Sequence, residues 1–197
     1  MNTDLLETAV DEAERVDLAV TDAVAEQRRH PIVRILGKAS EIGDQPPLRA
    51  LTLGTAAIGL ATGDRRLART GARMFAAHSL ATWAKSLVKR RVDRTRPDHA
   101  LETRYRMAPG DSDRHELSSF PSGHTAGALA VTQALARDHP QTRVPGLLLS
   151  AAIAAIQIPR CKHFVSDIAA GALIGWAAER VSSAAFDLVA DRLTNDN

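Results

Sequence analysis

Cysteine occurs once in this 197-residue chain, at Cys161, which excludes an internal disulfide framework and a cysteine-rich zinc site. The redox compartment is therefore left open. A large charge of either sign is also missing. The formal net charge is +2 despite 25 Lys and Arg, so composition does not single out nucleic acid as a partner. The N-terminus lacks a basic stretch followed by an apolar core. It carries Asp4, Glu7, Asp11, Glu12 and Glu14 instead, and no cleavable signal peptide is expected. Strand-like alternation of useful length and internal repeats are absent too, which leaves an all-α reading. The length suits one domain with a sizeable core.

Uniform hydrophobicity is the last absence. A mean hydropathy of −0.15 is low for a multi-pass membrane protein. The apolar residues are nevertheless clumped into four or five stretches that approach the roughly 20 residues a spanning helix needs. These stretches are rich in Ala, Gly and Leu, and small residues suit close helix packing in a bilayer. A soluble, Ala-rich bundle would share that composition. The clumping favours a membrane-embedded bundle of about five spanning helices, preceded by an amphipathic helix over 3–29 lying on the surface. Pro31 starts a short helix that Gly43 and the Pro46-Pro47 pair end. Apolar helices are expected near 48–63, 67–88, 122–135, 144–158 and 166–188, with a polar loop over 89–120. The organisation read from this is an N-terminal segment (1–46), a core (47–190) and a polar tail (191–197).

Three polar clusters sit at the ends of these helices. They are Lys89 to Pro97, Phe120 to Thr125, and Pro159 to Asp167. If successive helices alternate direction, all three fall on one side. Their chemistry suits a phosphoryl group. Lys89 and Arg96 offer positive charge, and a guanidinium can bind two phosphate oxygens as a fork. Ser122 and Gly123 sit at a helix start, where free N–H groups and the helix dipole favour an anion, and glycine permits close backbone approach. His124 can protonate a leaving oxygen. His163 and Asp167 are spaced i, i+4, so on one helical face the carboxylate would hold the imidazole tautomer whose other nitrogen attacks. Each feature alone is commonplace: a local helix contact, a helix-start turn, a solvated basic loop. Their order and common side carry the reading.

These clusters resemble the signature of the type 2 phosphatidic acid phosphatase (PAP2) superfamily, which also includes bacterial acid phosphatases and vanadium haloperoxidases. Its pattern is Lys-x6-Arg-Pro, then Pro-Ser-Gly-His, then Ser-Arg-x5-His-x3-Asp. Lys89 to Pro97 and Pro121 to His124 match the first two, and His163 and Asp167 match the end of the third. The resemblance covers roughly 48–185. It implies a helical-bundle core, a phosphohistidine intermediate at His163, His124 as acid and then base, and no metal or cofactor. It also implies a phosphorylated lipid substrate, with a multi-pass place in the cell (inner) membrane. Which side the site faces, and whether the chain forms a homo-oligomer, stay open. One departure stands out: the expected Ser-Arg pair is Ile156-Gln157, leaving Arg160, three residues on, as the candidate substitute. A soluble acid phosphatase or haloperoxidase-like enzyme, and a weakened phosphate-binding membrane protein, are the competing readings. His78 reads as a packed helix residue and His99, His115 and His139 as solvated. Lys85, one turn before Lys89, could help with phosphate but reads first as a headgroup contact, Cys161 reads as a spectator, and Trp83 and Trp176 as interface or core residues.

Overall fold

Proline, glycine and short capping residues divide the chain into its helices. In the computed structural model, which describes residues 3–195, α1 (Thr3–Val24) passes through a 3-10 turn (Ala25–Arg29) into α2 (Pro31–Ala39). Pro31 takes the first helical position, where its missing N–H costs nothing. A second 3-10 turn, Ser40–Gly43, leads to α3 (Gln45–Thr62). Gly63 ends α3 at φ 73°, a left-handed C-cap that glycine adopts without strain. The Asp64 carboxylate then caps α4 (Arg65–Lys89) by accepting from the Leu67 amide at 3.0 Å.

The polar stretch that follows is more structured than its sequence predicts. Strand β1 (Val92–Arg94) pairs antiparallel with β2 (Met107–Pro109), with one turn of helix, α5 (Pro97–Ala100), between them. Strands of three residues are too short to show alternation, so the all-α expectation misses them. The chain continues through α6 (Gly123–Asp138), α7 (Arg143–Ala155) and α8 (Val165–Asn195). Helix α8 runs on into the segment expected as a polar tail, whose residues 196–197 lie outside the described part.

Helices α3, α4, α6 and α8 pack around Leu48, Met74, Ala77, Ala81, Ala130, Val131, Ala134 and Ala178. A core this rich in alanine works by bringing backbones close, and two glycines of α8 take that to its limit. A Cβ on Gly171 would lie 2.5 Å from the Ser122 carbonyl oxygen, and one on Gly175 2.5 Å from that of Ala126. Helix α8 therefore lies directly against the first turns of α6. At the other end, Arg69 pairs with Asp138 (2.8 Å), Arg73 with Asp187 (2.6 Å) and Arg137 with Glu179 (2.7 Å).

Among the described residues no helix is long and apolar enough to cross a membrane. Helices α6 and α7 have 16 and 13 residues, and α4 carries Arg65, Arg66, Arg69 and Arg73 in its first turns. The helices themselves thus do not bear out the count of about five crossings. Helix α1 is also more than a surface element, because Asp17 is buried against the body of the protein.

Candidate active site

The three clusters converge. Lys89 ends α4, Arg96 precedes α5, Gly123 and His124 open α6, and His163 lies in the turn before α8. All five, with Arg160, line a single cavity of about 250 Å3, whose wall also includes Glu41, Asp44, Lys85, His115, Gln157 and Lys162. Ser122 and Asp167 stand behind this wall rather than in it.

His163 is the most buried imidazole of the group, 4 % exposed. Its Nδ1 lies 2.8 Å from the Ser119 carbonyl oxygen, an acceptor only, so Nδ1 carries the proton. Nε2 is left with its lone pair. Burial, ahead of the opposing pull of Asp167, holds the ring's pKa down at about 4, so the imidazole is neutral near pH 7. A neutral, oriented ring is the form that can attack phosphorus.

Asp167 serves this ring differently from the expected helical pair. Helix α8 begins only at Val165, so His163 and Asp167 share no helical face. Asp167 Oδ2 sits 3.7 Å from His163 Nδ1 and instead accepts from Ser119 Oγ (2.6 Å) and the Phe164 amide (2.8 Å). Reaching back from the third helical position to the residue before the helix is the acidic half of a capping box. The carboxylate therefore fixes both backbone segments flanking the imidazole. Oδ1 accepts from Arg94 at 2.6 Å. Arg94, 1 % exposed, also donates to Asp17 (2.8 Å), Ser166 Oγ (2.7 Å) and Tyr105 (3.2 Å), and stacks 4.4 Å from the centre of the Phe164 ring. One buried guanidinium thus ties α1, β1 and α8 together behind His163.

Ser122 also departs from expectation. Its hydroxyl is spent inside the protein, accepting from the Thr125 amide (3.4 Å) and hydroxyl (3.0 Å), and its amide donates to the Asp167 carbonyl at 3.0 Å. Fully buried, it caps α6 and docks α6 onto α8. The anion-binding character of this helix start therefore resides in the first-turn N–H groups after the cap.

The cations differ in how their charge is balanced. Lys89 donates to the Ser118 carbonyl. Arg96 donates to the carbonyls of His115 (2.9 Å), Lys162 (3.4 Å) and Ser118 (3.4 Å), and to Ser118 Oγ (3.3 Å). Carbonyls orient these groups without adding negative charge, while burial and the neighbouring Arg96 and Lys85 pull the Lys89 pKa down to about 7. Lys162 is instead paired with Asp98 at 2.7 Å. Lys85, expected at headgroups, lines the cavity beside Gly123, where a Cβ would sit 3.2 Å from its Nζ.

Gln157, where the signature has arginine, is fully buried and donates to Ser40 Oγ (3.1 Å) and the Ile153 carbonyl (2.9 Å). Arg160 arrives beside it although α7 ends at Ala155. Its guanidinium donates to Ser40 Oγ (3.0 Å), Gln157 Oε1 (3.4 Å) and Glu41 (3.2 Å). Opposite, His124 Nε2 lies 3.0 Å from Asp44 Oδ1, and the His124 and His163 ring centres are 6.4 Å apart. Such a gap lets one phosphoryl group touch both rings. Among the described residues no three His, Cys, Asp or Glu side chains gather as a metal-ligand set.

The model of the PAP2 superfamily matches residues 70–188, which contain every residue of the three clusters. The chain belongs to the PAP2 superfamily. Among PAP2 relatives, it is 33% identical over 123 residues to the decaprenylphosphoryl-5-phosphoribose phosphatases of two Mycobacterium tuberculosis strains, CDC 1551 / Oshkosh and ATCC 25618 / H37Rv. The match covers 60% of this chain and 60% of each relative, so the chain spans about three fifths of their length. The fold is shared with a transmembrane PAP2-type phosphatidylglycerolphosphate phosphatase from Bacillus subtilis. That crystal structure superposes with a TM-score of 0.69 over 92% of this chain and 88% of its own, at 19% identity.

Of the residues the PAP2 signature nominates, Lys89, Arg96, Gly123, His124 and His163 reach the cavity, and Ser122 and Asp167 position them. Arg94, Ser119 and Asp44 are additions from the structure. Arg94 lies within the first signature cluster and Ser119 just before the second, yet nothing in their local sequence distinguishes them from solvated loop residues.

Proposed function

We propose that this PAP2 protein hydrolyses a phosphomonoester or diphosphate of a membrane lipid through a phosphohistidine intermediate. The observation that carries the proposal is the neutral His163 imidazole, its Nδ1 fixed on Ser119, facing a cavity lined by Lys89 and Arg96, which donate to carbonyls and, among the described residues, form no salt bridge. Lys89, Arg96 and the first-turn N–H groups of α6 hold the non-bridging oxygens and stabilise charge as it develops. His163 Nε2 attacks phosphorus, a P–N bond forms, and the P–O bond to the lipid breaks. His124 gives its proton to the departing oxygen. The same imidazole then takes a proton from the water that attacks the phosphohistidine, releasing inorganic phosphate and restoring both rings.

Arg160 supplies the positive charge that Gln157 does not, from the same wall of the cavity. The bundle is membrane-embedded in this proposal. Leu53, Ile58 and Leu60 of α3, Val144, Leu148 and Leu149 of α7, and Leu173 and Val181 of α8 are exposed, and an apolar flank of this extent is what a bilayer would cover. The relatives' names point to a lipid substrate with a terminal phosphate. Phosphate release by detergent-purified protein from phosphatidic acid, phosphatidylglycerol phosphate, a polyprenyl diphosphate and a polyprenyl-phosphoryl phosphosugar tests the reading. Wild type should release phosphate from at least one of them and His163→Ala from none. Release that His163→Ala leaves unchanged would sink the nucleophile.

A further inference from the structure

Beside the polar cavity lies a second depression of opposite character. It is an apolar groove of about 490 Å3 between α2 and α7, lined by Leu36, Ala39, Ile42, Ala152, Ile156 and Pro159 among others. The partition between groove and cavity is one turn of chain, Ser40–Gly43, and its residues alternate between the two sides. Ser40 and Ile42 line the groove, while Glu41 and the following Asp44 line the cavity. Ile153 of the groove packs against the position a Gly43 Cβ would take (2.8 Å), and His124 lies 3.7 Å from that same point. Apolar wall and proton donor are thus separated by the thickness of a glycine.

The joint is also fixed in place. The Ser40 hydroxyl takes hydrogen bonds from both Gln157 and Arg160, residues of the cavity wall, while its own residue lines the groove. Gly37 of α2 lets the arginine pass, since a Cβ there would come within 2.7 Å of Arg160 Cδ. A second apolar groove between α6, α7 and α8 has no such joint. Its lining includes Leu129, Ala151, Ile158 and Ala172, and among the described residues no hydrogen bond like those of Ser40 to Gln157 and Arg160 ties it to the cavity wall.

A molecule with a phosphate at one end and hydrocarbon next to it matches a cation-lined cavity with an apolar groove just across a one-turn partition. We propose that the groove between α2 and α7 holds the hydrocarbon chain of the phosphorylated lipid, with the Ser40–Gly43 turn dividing headgroup from tail. The inference rests on the phosphatase reading above and adds the tail site to it. Ala39 and Ala152 are exposed on facing walls, so larger side chains there fill the groove without entering the core.

The test compares Ala39→Trp and Ala152→Trp with wild type on a long-chain phosphatidic acid in mixed micelles and on water-soluble phenyl phosphate. Ala151→Trp, on the other flank of α7, is the control. The groove variants should raise KM for the long-chain substrate about tenfold, the loss of contact with roughly two methylene groups. Their kcat/KM for phenyl phosphate should stay at the wild-type value, which also reports that the catalytic end is intact. Equal losses on both substrates, no change on either, or the same KM rise from Ala151→Trp would overturn the tail site. If wild type prefers another of the four lipids above, that lipid replaces phosphatidic acid, and no phosphate release from any of the four would instead overturn the phosphatase reading beneath it.

Discussion

Replacing Arg94 with methionine keeps most of the side-chain length and removes the charge at the back of the site. Two buried carboxylates, Asp17 at 2.8 Å and Asp167 at 2.6 Å, would then face each other with no cation between them. Both pairs are 2 % exposed or less on each side, so solvent cannot compensate. Breaking a buried pair from one side costs about 3–5 kcal/mol. For a chain of this size each kcal/mol corresponds to roughly 2–4 °C in Tm, so the expected drop is about 6–20 °C. Thermal unfolding of the detergent-purified variant measures it. Because Arg94 also anchors α1, limited proteolysis should release the N-terminal helix earlier than in wild type. Adding Asp17→Asn should recover part of the loss, since it removes one of the stranded charges. A Tm within about 2 °C of wild type would refute the view that this guanidinium organises the site.

Arg160→Ala should raise KM with a smaller effect on fold, and Gln157→Arg introduced into that variant should recover part of the loss, both read by phosphate release. Losing one charge-assisted contact corresponds to about 1.5–3 kcal/mol, or some ten- to a hundredfold in kcat/KM. The buried His163 sets a pH dependence of stability. Its pKa is about 4 in the folded protein against 6.5 for an ordinary histidine, so between these the unfolded chain binds a proton that the native state does not. Stability therefore falls as pH drops from about 6.5 towards 4, by on the order of 3 kcal/mol more in wild type than in His163→Asn. Denaturant melts of the two proteins across that window read the difference. Gly171→Ala places a methyl 2.5 Å from the Ser122 carbonyl oxygen, so α8 must move away from the turn that presents His124. A destabilisation of about 1–3 kcal/mol, with loss of activity beyond what unfolding explains, is expected in melts paired with phosphate release.

The signature residues were legible because each lies at a helix end where a break is written in the local sequence: Pro97 after Arg96, Pro121 before Ser122, Pro159 before His163. Alternating helix direction then brings them together. What was not legible depends on longer-range pairing. Arg94 meets Asp17 across 77 positions and Asp167 across 73, and no local pattern announces either partner. Serine at a helix start reads equally as cap and as ligand, and the capping bonds with Thr125 are the part that only the structure shows. The i, i+4 spacing of His163 and Asp167 suggested a helical pair. The chain instead turns through Cys161 at φ 54° before α8 starts, and the carboxylate works through the backbone on either side of the ring. The five expected crossings find no support in the helices themselves, since α4 begins in arginines and α7 is short.

Trapping the covalent intermediate tests the central claim most directly. Purified protein mixed with substrate, quenched in alkali to preserve a P–N bond and digested for mass spectrometry, should carry a phosphoryl group on the peptide containing His163. It should be absent from His163→Ala, whose turnover should fall at least about a thousandfold, and in His124→Ala it should form more slowly but, once formed, decay more slowly than in wild type, because both the acid and the base are missing. Turnover at the wild-type rate by His163→Ala, or a phosphoryl group found on another residue, would contradict the account.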